Sequence, residues 1–295
     1  MSVLVPVMMP ANSSELTEES SMKLVSSRSS TLIDVVDWRI GDEWVYDAEF
    51  DVEDLIAGGA PGSQVGVLTG QLTREVVDIR TDTIDNVSTI VYDLESSGTF
   101  NYNGATIVAS GFNVGGDLEV DLEMEEVIRA SDLSQITYNM NLDVDFNNIG
   151  FPASLVVGSS LDLATLSIDT DYAPPKEIYD FPMNVGETWD TETTTSVSWS
   201  GEVYDNLFDL PEDSSESSTE SFGIVGSGNP GVSYSGCSNS YNVTAYNATS
   251  GAINGYRWWC DSARNDAWWH QSIDVGADID FRLNQYNPVA RVHEI

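Results

Sequence analysis

Lysine is almost missing from this chain: Lys23 and Lys176 stand alone beside nine arginines and two histidines. Against those 11 cations are 48 acidic residues, a formal charge of −37. Nucleic acid and anionic membrane surfaces call for a basic footprint that such a composition does not supply. A saline exterior, where screening shortens the range of repulsion, suits it better. Histidine is too scarce for a His-built metal centre, with only His270 and His293 present. No apolar run reaches the roughly 18 residues of a membrane-spanning helix. Three chemical signatures are missing as well: G-x-S-x-G, H-E-x-x-H and the P-loop. A two-carboxylate glycoside hydrolase stays open, because it needs only placed Asp and Glu side chains.

Cysteine is equally scarce. Cys237 and Cys260 lie 23 positions apart, and a lone pair of this kind in an exported chain forms a disulfide. Four N-x-[ST] sequons, at Asn12, Asn86, Asn242 and Asn247, are candidate glycosylation sites. The apolar start Val3–Met9, followed by Pro10-Ala11, resembles the end of a signal peptide without its basic n-region. Together these features predict an extracellular or cell-surface protein.

What the chain does contain is short-period alternation. Residues 12–31 are rich in Ser, Thr and Glu, so 1–31 reads as a flexible leader. In Asp117-Leu-Glu-Val-Asp-Leu-Glu-Met-Glu125 the apolar residues face one way and five carboxylates the other, the pattern of a half-buried strand. Asn141–Phe146 repeats it. The spacing predicts further strands over 65–80, 88–95, 99–110, 161–169, 191–204, 232–235, 241–247, 256–260, 267–273 and 278–286. Helices are expected only over Val52–Ala57 and Glu125–Leu133. Asn103-Gly104 and Asn254-Gly255 suit hairpin turns. Pro211–Ser221 has no apolar anchor after its proline and reads as a mobile loop. The fold class is therefore all-β, with large curved antiparallel sheets of half-barrel or sandwich type.

An internal repeat suggests two related β domains, 32–175 and 176–295. Trp38-Arg-Ile-Gly-Asp-Glu-Trp44 is echoed by Met183-Asn-Val-Gly-Glu-Thr-Trp189, and each section closes on Tyr-x-Pro, at Tyr172–Pro174 and Tyr286–Pro288. The opener Phe181–Trp189, the late Trp-rich hairpin and the closing Leu283-Asn-Gln-Tyr286 resemble exported β proteins of bacteria and marine archaea. Those are in turn similar to lipoprotein-carrier-like half-barrels. The likeness covers mainly residues 181–286. It implies a curved antiparallel sheet around an apolar interior, although no lipobox cysteine stands near the start and the charge is far more acidic.

The most unusual local feature is Tyr256-Arg-Trp-Trp-Cys260 followed by Ala267-Trp-Trp-His270. Adjacent residues of a strand face opposite ways, so each Trp pair should place one ring on each sheet face. Tyr256, Trp258, Trp259, Trp268, Trp269 and His270 are therefore the candidate ligand-binding residues, with the 261–266 segment as a hairpin loop. Asp143, Asp145, Asp169 and Asp171 are weak candidates for a calcium site, though none sits in a calcium-loop pattern. No other cofactor is expected. The composition predicts a non-catalytic protein, either a carrier of an apolar ligand or a surface module capable of self-association. The alternative is a glycan-binding module or glycoside hydrolase using the Trp hairpin.

Overall fold

The structure is a computed structural model and describes residues 34–109, 112–204, 210–273 and 277–290. The expected leader, with Val3–Met9 and Asn12, lies outside them. Twelve strands follow one another: β1 (Glu43–Asp51), β2 (Leu68–Ile84), β3 (Val87–Ala109), β4 (Phe112–Arg129), β5 (Gln135–Asn147) and β6 (Leu161–Lys176). Then come β7 (Thr188–Val203), β8 (Ser214–Gly228), β9 (Ser240–Asn247), β10 (Ile253–Cys260), β11 (Asn265–Ile273) and β12 (Ala277–Asn287). Each pairs antiparallel with its neighbours in sequence, and β12 returns to β1 from Glu43↔Asn287 to Asp51↔Asp278. The sheet is thus a closed up-and-down barrel where a half-barrel or sandwich was expected. Closure removes the exposed edges that an open sheet would have to protect.

Pleating decides what faces inward. On β4, Leu118, Val120, Leu122 and Met124 are buried while Asp121, Glu123 and Glu125 are exposed. A membrane-spanning barrel shows lipid an apolar outer band; along β4 this wall is apolar inside and acidic outside. No helix among the described residues is long and apolar enough to cross a membrane.

A twelve-stranded barrel is wider than its own wall side chains can fill, and inserted segments occupy the difference. After β1 the chain forms α1 (Glu53–Gly59) and buries Val52, Ile56, Ala60 and Val65. Between β6 and β7 it buries Ile178, Tyr179 and Met183, with Tyr179 and Phe181 packed on Trp259 at 4.9 and 5.5 Å. Trp38 is buried ahead of β1, and its indole N–H donates to the Arg264 carbonyl at 2.6 Å.

The two repeated openers are built alike. Gly41 and Gly186 take φ of +88° and +92°, a region that favours glycine. Their amides donate to Val76 and Ile224, each at 2.8 Å. Asp42 and Glu187 accept from the backbone amides of Arg39 and Asn184 at 3.0 and 3.1 Å. Each opener leads into a strand whose Trp stacks on an aromatic ring, Trp44 on Tyr286 and Trp189 on Phe222. Six strands follow each opener, but β6 pairs with β7 across the expected boundary, so both stretches share one sheet. The described residues form one compact unit.

Four local expectations change. The Ser/Glu run read as a mobile loop is mostly β8, where hydroxyls pair across strands: Thr194 with Ser217 at 2.7 Å and Ser196 with Ser215 at 2.8 Å. The short helix expected over Glu125–Leu133 is the end of β4 and a turn, because β5 supplies its hydrogen-bond partners. Asn103-Gly104 and Asn254-Gly255 fall beside register shifts within β3 and β10 rather than at turns. The strand expected over 232–235 gives way to a 3-10 turn at Ser235–Cys237.

The cysteines are bonded, with Cα atoms 5.4 Å apart. α2 (Ser154–Val157) sits in the connection between β5 and β6 and buries none of its residues.

Candidate functional site

The inward apolar series of the barrel is interrupted at a few positions. On β2, Arg74 stands in phase with Leu68, Leu72 and Val76. On β4, Glu126 continues the phase of Leu118 to Met124. On β8, Glu220 shares the phase of Phe222 and Ile224. On β10, Arg257 lies opposite Trp269 of β11. These four residues, with Lys176 at the end of β6, line an interior pocket of about 240 Å³. Gln135, Tyr138, Tyr172 and Trp269 complete the wall they form.

The charges are held in pairs. Arg74 Nη2 lies 2.8 Å from Glu126 Oε2, with side chains only 6% and 11% exposed. Gln135 Nε2 donates to the other Glu126 oxygen at 2.9 Å. The Arg74 guanidinium sits 5.9 Å from the Trp269 ring centre, and its Nε has no partner among the described residues. Arg257 Nη1 lies 3.2 Å from Asp266, whose carboxylate also accepts from the Tyr179 hydroxyl at 2.7 Å to each oxygen. The Tyr46 hydroxyl donates to the Asp266 carbonyl at 3.0 Å. Lys176 pairs with Glu220 at 2.7 Å and lies 5.7 Å from the Tyr172 ring centre.

Burial, and secondarily the charge on Asp266, push the Tyr179 phenol well above its usual range. It therefore keeps its proton at neutral pH and donates to Asp266. Burial also pushes Tyr172 up to about 12; Arg257 opposes that shift, while Glu126 and Glu220 add to it.

The pocket gathers cations in an otherwise acidic molecule. Arg74, Lys176 and Arg257 each stand against one carboxylate there, Glu126, Glu220 and Asp266. In the whole chain 48 acids outnumber 11 cations. Burying an ion pair costs desolvation that its Coulomb attraction seldom exceeds, so three buried or half-buried pairs inside a barrel are a departure from simple packing.

The six aromatic candidates divide between the two faces of the hairpin. Trp259 and Trp269 point inward and are buried, with Trp269 stacked on Phe281 at 4.3 Å. Trp258 and Trp268 lie opposite one another and are half-buried. Trp268 Nε1 donates to Asp280 at 2.8 Å, and Arg282 lies 5.1 Å from its ring centre. Tyr256 meets Trp268 edge-on at 5.1 Å and stacks on His270 at 5.9 Å. Tyr256, Trp269 and His270 also border the interior pocket. Asp266, expected in the hairpin loop, is a buried residue of β11.

Of the pocket's polar residues, the sequence candidates include Tyr256 and His270 but not Arg74, Glu126, Lys176, Glu220 or Arg257. Their available signal was phase: Arg74 and Glu126 fall where the alternation calls for an apolar side chain.

The four calcium candidates do not assemble. Asp143 faces Thr165 and Asp169 faces Asn139, so the two pairs are separated along the β5–β6 wall. Among the described residues no group of three His, Cys, Asp or Glu is placed to hold a metal. Asn86 and Asn247 are exposed, whereas Thr244 of the Asn242 sequon is 5% exposed and bonds back to Asn242 at 2.9 Å. Gly226-Ser-Gly-Asn-Pro-Gly231 has G-x-G-x-x-G spacing, but it ends a strand and opens no α-helix, only the 3-10 turn at Ser235–Cys237 following it, so the dinucleotide-binding context is missing.

The sequence matches no protein-family model and no curated protein. Among solved structures it is similar to a β-barrel-like protein of the domain of unknown function DUF1849 from Brucella abortus. The identity is 8% and the TM-score 0.36, over 86% of this chain and all of that one.

Proposed function

We propose that the protein is an exported, non-catalytic binding barrel whose interior pocket holds a small polar ligand bearing a negatively charged group. The observation that carries this reading is the gathering of Arg74, Lys176 and Arg257 around one cavity of a chain otherwise dominated by acids. Charge-assisted hydrogen bonds from arginine and lysine are the strong ones for carboxylate or phosphate oxygens. Tyr138 and Tyr172 border the same cavity and add aromatic surface for the rest of such a molecule. An apolar cargo fits poorly, because the cavity wall is charged and the apolar interior elsewhere is filled by side chains. Each pocket carboxylate is committed to a cation, Glu126 to Arg74 and Glu220 to Lys176, which favours binding over acid–base chemistry. Acidity, the disulfide and two exposed sequons support export.

A thermal-shift panel in high salt tests the reading with small carboxylates, phosphate esters, neutral sugars and fatty acids. A ligand at a hundred times its Kd stabilises the fold by about 2.7 kcal/mol, roughly 5–11 °C for a barrel of this size. Small anionic members should shift Tm; long-chain fatty acids, anionic but too large and apolar for a charged cavity of about 240 Å³, should not, and Lys176→Gln should weaken the shift. Stabilisation by fatty acids alone, or by none of the panel, would count against the proposal.

A second reading rests on the half-buried outer cluster of Tyr256, Trp268 and His270, whose rings could stack on a glycan. It requires Trp268→Ala to abolish glycan-array binding while leaving the thermal shift with anions intact.

A further inference from the structure

The connections at one end of the barrel carry apolar side chains in an unusual posture. Among the described residues the four most exposed large apolar side chains are Val156 (87%), Phe151 (81%), Leu155 (75%) and Phe112 (73%). Phe112 opens β4 at the β3–β4 hairpin, and the other three lie in the β5–β6 connection around α2. The two segments meet, because the Gly150 amide donates to the Gly115 carbonyl at 3.2 Å and Asp117 pairs with Asn147. Near them Ile107, Val114 and Ile149 are buried. Neither segment carries a charge: no Asp, Glu, Lys or Arg occurs over 96–116 or over 146–161. Asp117 and Asp162 bound these runs immediately on their far sides.

We infer that this end of the barrel docks on the surface of an electrically neutral lipid bilayer, with Phe112, Phe151, Leu155 and Val156 entering the acyl boundary. Contiguous exposed apolar residues rimmed by polar ones mark interaction sites. These residues stand out as knobs rather than lining a groove. A fluid apolar medium receives knobs without a matching shape, whereas a protein partner would have to supply complementary pockets. Charge selects the kind of bilayer. The tips themselves are uncharged, but the flanking aspartates and the −37 of the chain oppose an anionic headgroup layer. The docking is independent of what the interior pocket holds.

Vesicle flotation with the full chain tests the inference, using phosphatidylcholine vesicles, phosphatidylserine vesicles and both at low and high salt. Binding to phosphatidylcholine should occur at either salt, and binding to phosphatidylserine only when salt screens the repulsion. Fully burying one large apolar side chain is worth tenfold or more in partitioning. Phe151→Asp and Val156→Asp should therefore each weaken flotation about tenfold or more. Both positions are exposed, so the barrel's Tm should be unchanged. Val87→Asp, also exposed but at the other end of the 23-residue β3, should leave flotation intact. No flotation on phosphatidylcholine would overturn the inference, as would binding confined to phosphatidylserine. A dimer in solution that Phe151→Asp dissociates would overturn it in favour of a second copy covering the same tips.

Discussion

Replacing Glu126 by Leu would leave Arg74 charged, 6% exposed and without its carboxylate. Removing one partner of a buried pair costs about 3–5 kcal/mol, because the remaining charge stays desolvated. Arg74→Met should cost a similar amount, since Glu126 would then keep only the Gln135 hydrogen bond. At roughly 2–4 °C per kcal/mol, each single variant should melt about 6–20 °C below the parent. The double variant Arg74→Met/Glu126→Leu removes both charges and fills the space with apolar atoms, so it should lie within about 1 kcal/mol of the parent or above it. Urea unfolding followed by tryptophan fluorescence gives the four corners of the cycle, and the coupling energy should exceed about 2 kcal/mol. Single-variant losses below about 1 kcal/mol would mean that the pair behaves as a solvated surface bridge. The desolvated interior pocket described above would then be refuted.

Reducing the Cys237–Cys260 bond, or replacing both residues by Ala, should lower stability by about 3 kcal/mol, the chain-entropy value for a loop of this length; calorimetry with and without reductant measures it. Trp259→Ala should cost about 3–5 kcal/mol as a cavity in the core, whereas Trp268→Ala, half-buried on the outer face, should cost clearly less in the same urea assay. Burial first, then the charges of Asp143, Asp162 and Asp121, holds the Asp145 carboxyl above its usual value, and Glu177 is raised by burial and neighbouring acids. Such groups bind protons more readily folded than unfolded, so stability at low salt should rise as pH falls from neutral towards the ordinary carboxylate range. Asp82 and Asp117 are held low by Arg80 and Asn148, and their contribution is lost only as pH falls further, through their own folded pKa values. Thermal melts should therefore peak at mildly acidic pH, and Asp145→Asn should flatten the rise.

Strand content and wall polarity were legible because alternation is a local signal. Asp117 to Glu125 reports both the strand and its inner face without knowledge of any partner. Closure was not legible: pairing of Glu43 with Asn287 joins the two ends of the barrel and leaves no trace in either segment. The Ser/Thr run of β8 defeated composition because its stability comes from cross-strand hydroxyl pairs that appear only once β7 is alongside. The Trp-rich hairpin drew attention by residue type, yet the structure uses Trp259 and Trp269 mainly as core. The pocket was marked by quieter departures, Arg74 and Glu126 standing in phase with leucines and valines. Asp266 gave no such warning, because a register shift between Trp258 and Trp259 moves it from the expected loop into the barrel.

The central claim is that the interior cations bind an anionic ligand. Its most direct test is isothermal titration of the parent and of Arg74→Met/Glu126→Leu with the best anionic compound from the thermal-shift panel. The account predicts one site per chain. It also predicts affinity at least tenfold weaker in the double variant despite its near-parental stability, since a hydrogen bond to a charged group is worth about 1.5–3 kcal/mol. Equal affinity in the two proteins would contradict it.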